Sequence, residues 1–193
     1  LVNAKVFNGI NTVNEDISLV NQQRLIKTYD PQLSFENPNN FIFYKKGQIG
    51  AYLTHHLIIK ESINSKNNYT LILEDDAIIT HGSFLEIVKQ TVFYLVHNSF
   101  SFDIIYFGYL NENKGPSLTT NINKISKHNP LFGAHALLIN NKSSKKIYEL
   151  NCKITNEIDN HYKNLIDNNK LQGYYYSPML VEQNNSLKKY IKL

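Results

Sequence analysis

Apolar positions along this chain follow two rhythms. Ile49, Tyr52, Leu53, His56, Leu57 and Lys60 recur at three- and four-residue spacing, which predicts a helix over residues 47–64. Phe84, Ile87, Val88, Thr91, Val92 and Leu95 form a second such stripe. It opens at Ser83, with Glu86 three residues on in capping-box spacing. Between these helices Tyr-Thr-Leu-Ile-Leu (69–73) is a short continuous apolar run, the pattern of a strand covered on both faces. Residues 102–110 (Phe-Asp-Ile-Ile-Tyr-Phe-Gly-Tyr-Leu) and 131–140 predict two more strands, and 173–177 a fourth. Helices are expected over 142–150 and 154–165. The polar stretches 21–46 and 111–130 read as loops, the first with room for one short helix. Ala4 to Phe7 is a short apolar piece closed by the turn signal Asn8-Gly9. Strands alternating with helices give an α/β chain with a mixed or parallel sheet.

The first strand ends in Glu74-Asp75-Asp76. Open α/β sheets bind ligands at the carboxyl ends of their strands. Three adjacent carboxylates at the rim of an apolar interior repel one another unless a cation compensates, and hard oxygen donors suit Mg²⁺ or Mn²⁺ rather than zinc. The plainer alternative is an acidic turn after a strand. Of the other chemistry-bearing residues, His55 sits beside His56 on the first helix, and His135 follows Gly133, where a glycine turn lets backbone approach a ligand. Asp103 opens a strand and reads as a cap. The Tyr174-Tyr175-Tyr176 run offers aromatic faces, one outward and two packed.

Composition narrows the field. The chain has 193 residues, 42% of them hydrophobic, enough for one domain with a sizeable core. Its net charge of +4 rests almost wholly on lysine, since Arg24 is the only arginine. Without arginine forks, base-specific reading of nucleic acid is not expected. A lone cysteine, Cys152, supplies neither an internal disulfide nor a thiolate metal framework. No apolar run approaches the ~20 residues of a membrane span. Residues 187–193 form a basic tail, read as solvated or as a peripheral contact with an anionic membrane surface.

Several blocks of the chain resemble glycosyltransferase family 25, which includes lipopolysaccharide/lipooligosaccharide and procollagen galactosyltransferases. Gly47-Gln48-Ile49-Gly50…Thr54-His55, followed by a helix and by Leu73-Glu74-Asp75-Asp76, is similar to its Gly-Glu-Ile-Gly-Cys…Ser-His…Glu-Asp-Asp signature. Phe102 to Gly108, Pro130 to Ile139, Ile158-Asp159 and Tyr176-Ser177-Pro178…Gln183 resemble its later blocks in order. Ala51, Thr54, Ile59 and Leu137 depart from the pattern. The chain opens at what resembles the family's second strand, so either the first nucleotide-binding strand is absent or the sequence is a fragment of a longer chain.

The resemblance implies a single GT-A (Rossmann-like) domain over residues 1–186, with a mostly parallel sheet flanked by helices. It implies an inverting, metal-dependent transfer of galactose or glucose from a UDP-sugar to a hydroxyl of a glycan or protein acceptor. Asp76 would be the direct ligand of Mn²⁺ (or Mg²⁺), Glu74 would face the metal or donor ribose, and Asp75 would support them. Asp159 would be the general base, with Thr54, His55, Gly133 and His135 near the donor. Bacterial relatives work at the cytoplasmic face and animal relatives in the ER, and a cytoplasmic setting is expected here. Two other classes compete: a non-catalytic glycan- or partner-binding module of the same fold, and an acidic-triad phosphohydrolase.

Overall fold

A computed structural model describes residues 4–12, 18–37, 43, 45–111, 115–127 and 131–184. In chain order its elements are α1 (Leu19–Tyr29), β1 (Ser34–Phe35), α2 (Lys46–Ser62), β2 (Tyr69–Leu73), β3 (Ala77–Ile79), α3 (Phe84–His97), β4 (Ile104–Gly108), β5 (Ile122–Lys124), β6 (Ala136–Asn140), α4 (Ser144–Asn151), β7 (Lys153–Ile154), α5 (Ile158–Asp167), β8 (Gly173–Tyr176) and β9 (Val181–Gln183). The basic tail and Pro130 lie outside the described residues. No helix among the described residues is long and apolar enough to cross a membrane. Two compact units divide the chain: Leu1–Lys66 with Ser144–His161, and Asn67–Ser143 with Tyr162–Leu193.

In the first unit α2 buries Ile49, Tyr52, Leu53 and His56 of its predicted stripe, while Leu57 is half-buried, Lys60 is exposed, and Ile59 is buried outside the stripe. Gln48 reaches back from the first turn to accept the Lys45 N–H at 3.0 Å, which helps to fix where α2 begins. Edge-to-face rings run Phe35, Phe43, Tyr52, His161, with centroids 5.8, 5.7 and 5.5 Å apart. α1 is a short helix in the stretch read as loop with room for one. It buries only Gln22 and Ile26, and the Gln22 amide completes itself on the Phe43 peptide, donating to its carbonyl at 2.9 Å and accepting its N–H at 3.0 Å. A buried glutamine defeats an apolar-period reading. β1 and β7 form a two-residue parallel pair.

Residues 4–12 form no regular element. They run along the small-residue face of α2. The Ile10 N–H donates to Thr54 Oγ1 (3.0 Å), which donates in turn to Gly50 O (2.7 Å), and the Thr12 hydroxyl donates to Lys46 O. A Cβ on Gly50 would lie 2.3 Å from Ile10 O. Gly50 and Thr54 thus shape a groove for this segment.

The second unit holds a five-stranded sheet of order β2-β6-β4-β8-β5. Only β4 and β8 pair in parallel; β2–β6, β6–β4 and β8–β5 are antiparallel. The sheet is therefore mixed, where a mostly parallel one was expected. The physical reason is β6: its apolar run Ala-Leu-Leu-Ile is buried on both faces like a parallel strand, yet it runs against both neighbours. An apolar run reports burial and carries no direction. β4 is buried at all five positions, as its sequence requires. β2 is different: it lies at the sheet edge, buries only Ile72, and leaves Leu73 41% exposed. α3 packs Phe84, Val88 and Leu95 onto Ile105, Phe107, Ala136, Leu138 and Tyr174. The Ser83 side chain makes no cap hydrogen bond; its own N–H donates to His81 Nδ1 at 3.2 Å. Within the stretch read as a long loop, β5 pairs with β8, set by Thr119 Oγ1 accepting the Asn121 and Ile122 N–H groups.

Strand directions place the chemistry. β2, β4 and β8 share one direction, so their carboxyl ends share a sheet edge with the amino ends of β5 and β6. Glu74–Asp76, Tyr109, Ser177, Asn121 and His135 are brought to that edge.

Candidate functional site

The acidic tripeptide forms a tight turn from β2 into β3. The Ala77 N–H donates to Glu74 O at 3.1 Å, the Glu74 N–H to His135 O at 3.0 Å, and the Asn184 N–H to Asp76 O at 2.7 Å. The backbone of Glu74 and of Asp76 is thus held on either side of Asp75. Glu74 and Asp76 are half-buried and Asp75 is exposed. β3 and β9 pair beside the turn, Ala77 opposite Gln183. Two strands of three residues escape a sequence reading, but they anchor this turn on both sides.

His135 enters the sheet at the head of β6 and is fully buried. Its Nε2–H donates to Val181 O at 3.1 Å, which fixes that tautomer and leaves Nδ1 as a bare acceptor. The imidazole lies close against Gly108, where a Cβ would fall 2.4 Å from Nε2. Gly133 has φ of 89°, the left-handed region, and a Cβ there would lie 3.0 Å from Leu110 Cγ and 3.4 Å from His135 Nδ1. Its glycine turn thus lets the chain after β4 pass closely, with Leu110 N–H on Phe132 O at 2.8 Å. Asp103 accepts the Gln172 N–H on Oδ2 at 2.7 Å and ties the starts of β4 and β8, the capping role its position predicts.

Of the sequence-predicted residues, the second unit thus gathers Glu74, Asp75, Asp76, Gly133 and His135 on one sheet edge. Thr54, His55 and Asp159 belong to the first unit. Thr54 spends its hydroxyl on Ile10 and Gly50, and His55 is buried within α2. Asp159 is half-buried in the first turn of α5, where Oδ1 accepts the Asn160 N–H at 2.8 Å. A helix amino end favours carboxylate charge. Beside it Glu157 accepts from Gln48 Nε2 at 3.0 Å.

Sequence reading missed a second polar cluster, in the first unit. Asp30 Oδ2 accepts from Lys60 Nζ (2.8 Å), Tyr148 OH (2.8 Å) and His56 Nε2 (3.1 Å), while Oδ1 accepts the Gln32 N–H (3.0 Å). Asp30 is 1% exposed. Burial pushes its carboxyl up, but the hydrogen bonds from Lys60, Gln32, His56 and Tyr148 outweigh it and hold the group well below the carboxylate range. Burial lowers His56, against the pull of Asp30, and raises the Tyr148 hydroxyl. Burial also raises the Cys152 thiol, which packs beside this cluster. Only the spacing of His56 and Lys60 on α2 hinted at this network.

No group of three or more His, Cys, Asp or Glu side chains disposed to hold a metal ion occurs among the described residues. The acidic turn is no all-protein cage. Its donor set is nonetheless the kind Mg²⁺ and Mn²⁺ accept, since such ions are held by one or two carboxylates and completed by water and substrate phosphates.

The sequence model of one family, described as glycosyltransferase family 25 (LPS biosynthesis protein), matches residues 2–162. Among curated proteins nothing matches the chain.

Proposed function

The chain belongs to glycosyltransferase family 25, and from that premise we propose that it is an inverting glycosyltransferase of GT-A type. It moves a hexose, galactose or glucose, from a UDP-sugar to a hydroxyl of a glycan or protein acceptor. The observation that carries the reading is the acidic turn at the carboxyl end of β2, the rim where open α/β sheets receive ligands. Asp76 and Glu74 would hold Mn²⁺ or Mg²⁺, which neutralises charge on the departing diphosphate. With one arginine in the chain, a metal is a more credible neutraliser than a guanidinium clamp.

Asp75 is the exposed member of the turn and supports the field of the other two. Asp159 is the residue proposed as general base, taking the proton of the acceptor hydroxyl at a carboxylate oxygen as an inverting transfer requires. The family resemblance also assigns Thr54, His55, Gly133 and His135 to binding of the donor. Calorimetry with UDP tests this reading directly. Binding heat that appears only with Mn²⁺ or Mg²⁺ supports a metal-assisted donor site. Absence of heat at high protein concentration would instead favour a non-catalytic glycan- or partner-binding module.

A further inference from the structure

A pocket of about 280 Å³ opens in the second unit between α3 and the approach to β5. Gln90 and Tyr94 line it from the helix, Thr119, Asn121 and Ile122 from the β5 hairpin, and Tyr176 from the end of β8. No Asp, Glu, Lys, Arg or His is among its lining residues. A nucleoside diphosphate would find nothing there to balance its charge. The polar groups present are amides and hydroxyls, each with capacity left over. Asn121 donates through Nδ2 to Ser177 O at 2.7 Å, which leaves Oδ1 to accept. Thr119 Oγ1 already accepts two backbone N–H groups, so its own proton is left to donate. Gln90 is exposed, and its amide meets Glu86 only at a long 3.4 Å. An acceptor, a donor and an amide that is both suit neighbouring hydroxyls of one ring, each of which donates and accepts.

The apolar walls fit the same ligand. Tyr176 is half-buried, its ring centroid 6.3 Å from that of Phe107, and Tyr94 is held by Phe100 at 6.3 Å and by its hydroxyl on Leu118 O. Rings braced in this way offer preformed surface to the C–H face of a sugar. The volume lies just under the usual range for small-molecule sites, which suits one pyranose rather than a whole nucleotide sugar. Thr119 and Asn121 precede β5 and Tyr176 ends β8, so the pocket lies on the sheet edge that carries the acidic turn. We propose that it is a subsite for a neutral sugar unit of the acceptor glycan, an assignment that rests on the glycosyltransferase reading.

The test is NMR of the ¹⁵N-labelled full chain titrated with methyl β-galactoside, methyl α-glucoside and lactose. Saturable shifts are expected at the side-chain amides of Gln90 and Asn121. Gln90→Trp, a change at an exposed helical position, fills the mouth and should weaken saccharide binding at least about tenfold. Tyr176→Phe, which keeps the ring and removes one hydroxyl, should weaken it less. Turnover of nucleotide sugars by the unaltered chain is measured in parallel. Turnover with no saccharide shift at Asn121 overturns the subsite and leaves the transferase standing. Saturable shifts at Asn121 without turnover of any nucleotide sugar support a saccharide pocket and count against the transferase. Binding of equal strength in Gln90→Trp overturns the assignment.

Discussion

A methyl group on Gly108 probes how β4, β6 and β9 are fitted together beneath the acidic turn. In Gly108→Ala the new Cβ would lie 2.4 Å from His135 Nε2, 2.5 Å from Cδ2 and 2.8 Å from Val181 O. Neither neighbour yields easily: the imidazole is fully buried, and the carbonyl belongs to the backbone of β9, paired with β3. Relief requires the ring to move away from Val181, which gives up a buried hydrogen bond of about 1 kcal/mol. Overpacking a close-fitted site adds about 1–3 kcal/mol. The expected destabilisation is therefore about 2–4 kcal/mol, read as a lower midpoint in equilibrium urea unfolding with an unchanged slope. His135→Ala alone should also destabilise, by opening a cavity and leaving Val181 O without its donor. In the double variant the new methyl occupies part of that cavity, so the two losses should fall short of their sum by about 1 kcal/mol or more. A Gly108→Ala chain as stable as the parent, or strictly additive losses, would refute the packing argument.

Gly50→Ala should break the docking of residues 9–12 on α2, because its Cβ would lie 2.3 Å from Ile10 O. A cost of about 1–3 kcal/mol is expected, together with faster hydrogen exchange at the Ile10 amide; unchanged exchange would contradict it. Acid should destabilise the first unit in two stages. Folded His56 lies below its ordinary 6.5, so as pH falls below 6.5 the unfolded chain takes up a proton that the folded chain refuses, and stability drops. Asp30 is likewise depressed, and its contribution, present above 3.8, is lost as pH falls further. Urea midpoints at pH 7 and pH 5 should therefore decline in the parent and decline less in His56→Gln; an equal decline in both would exclude His56 as the cause. Asp159→Asn should lower sugar transfer by about 10²–10⁴-fold at constant urea midpoint, the loss expected for a general base. A parental rate would remove Asp159 from that role.

How far the sequence could be read depended on what each signal encodes. α2, α3 and β4 were legible because their apolar period or run matched the burial they adopt. α1 was legible only as room for a short helix, without its bounds, since one of its two inward positions is Gln22, which is satisfied by Phe43 backbone groups rather than by apolar contact. β3, β5 and β9 are three residues each, too short to carry a period, and exist through pairing with partners remote in sequence. The antiparallel course of β6 was likewise invisible, because direction is a property of connections. The acidic turn was legible as a strand end, while the Asn184 and His135 contacts that hold it come from two other parts of the chain. Gly50 and Thr54 stood out as a pattern, while their packing against Ile10 joins positions some forty residues apart and leaves no local signal. Family membership followed from blocks in the right order, a signal that survives departures such as Ala51 and Leu137.

The central claim, a glycosyltransferase whose donor site is built on the Glu74–Asp76 turn, meets its most direct test in nucleotide-sugar turnover. UDP release from a panel of UDP-hexoses would be measured with Mn²⁺ and with a chelator, for the parent chain and for Asp76→Asn at matched urea midpoints. The account predicts release that needs the cation and falls at least about 10²-fold in Asp76→Asn, the scale of losing one group that stabilises developing charge. Release at the parental rate by Asp76→Asn, or release indifferent to chelation, would contradict it.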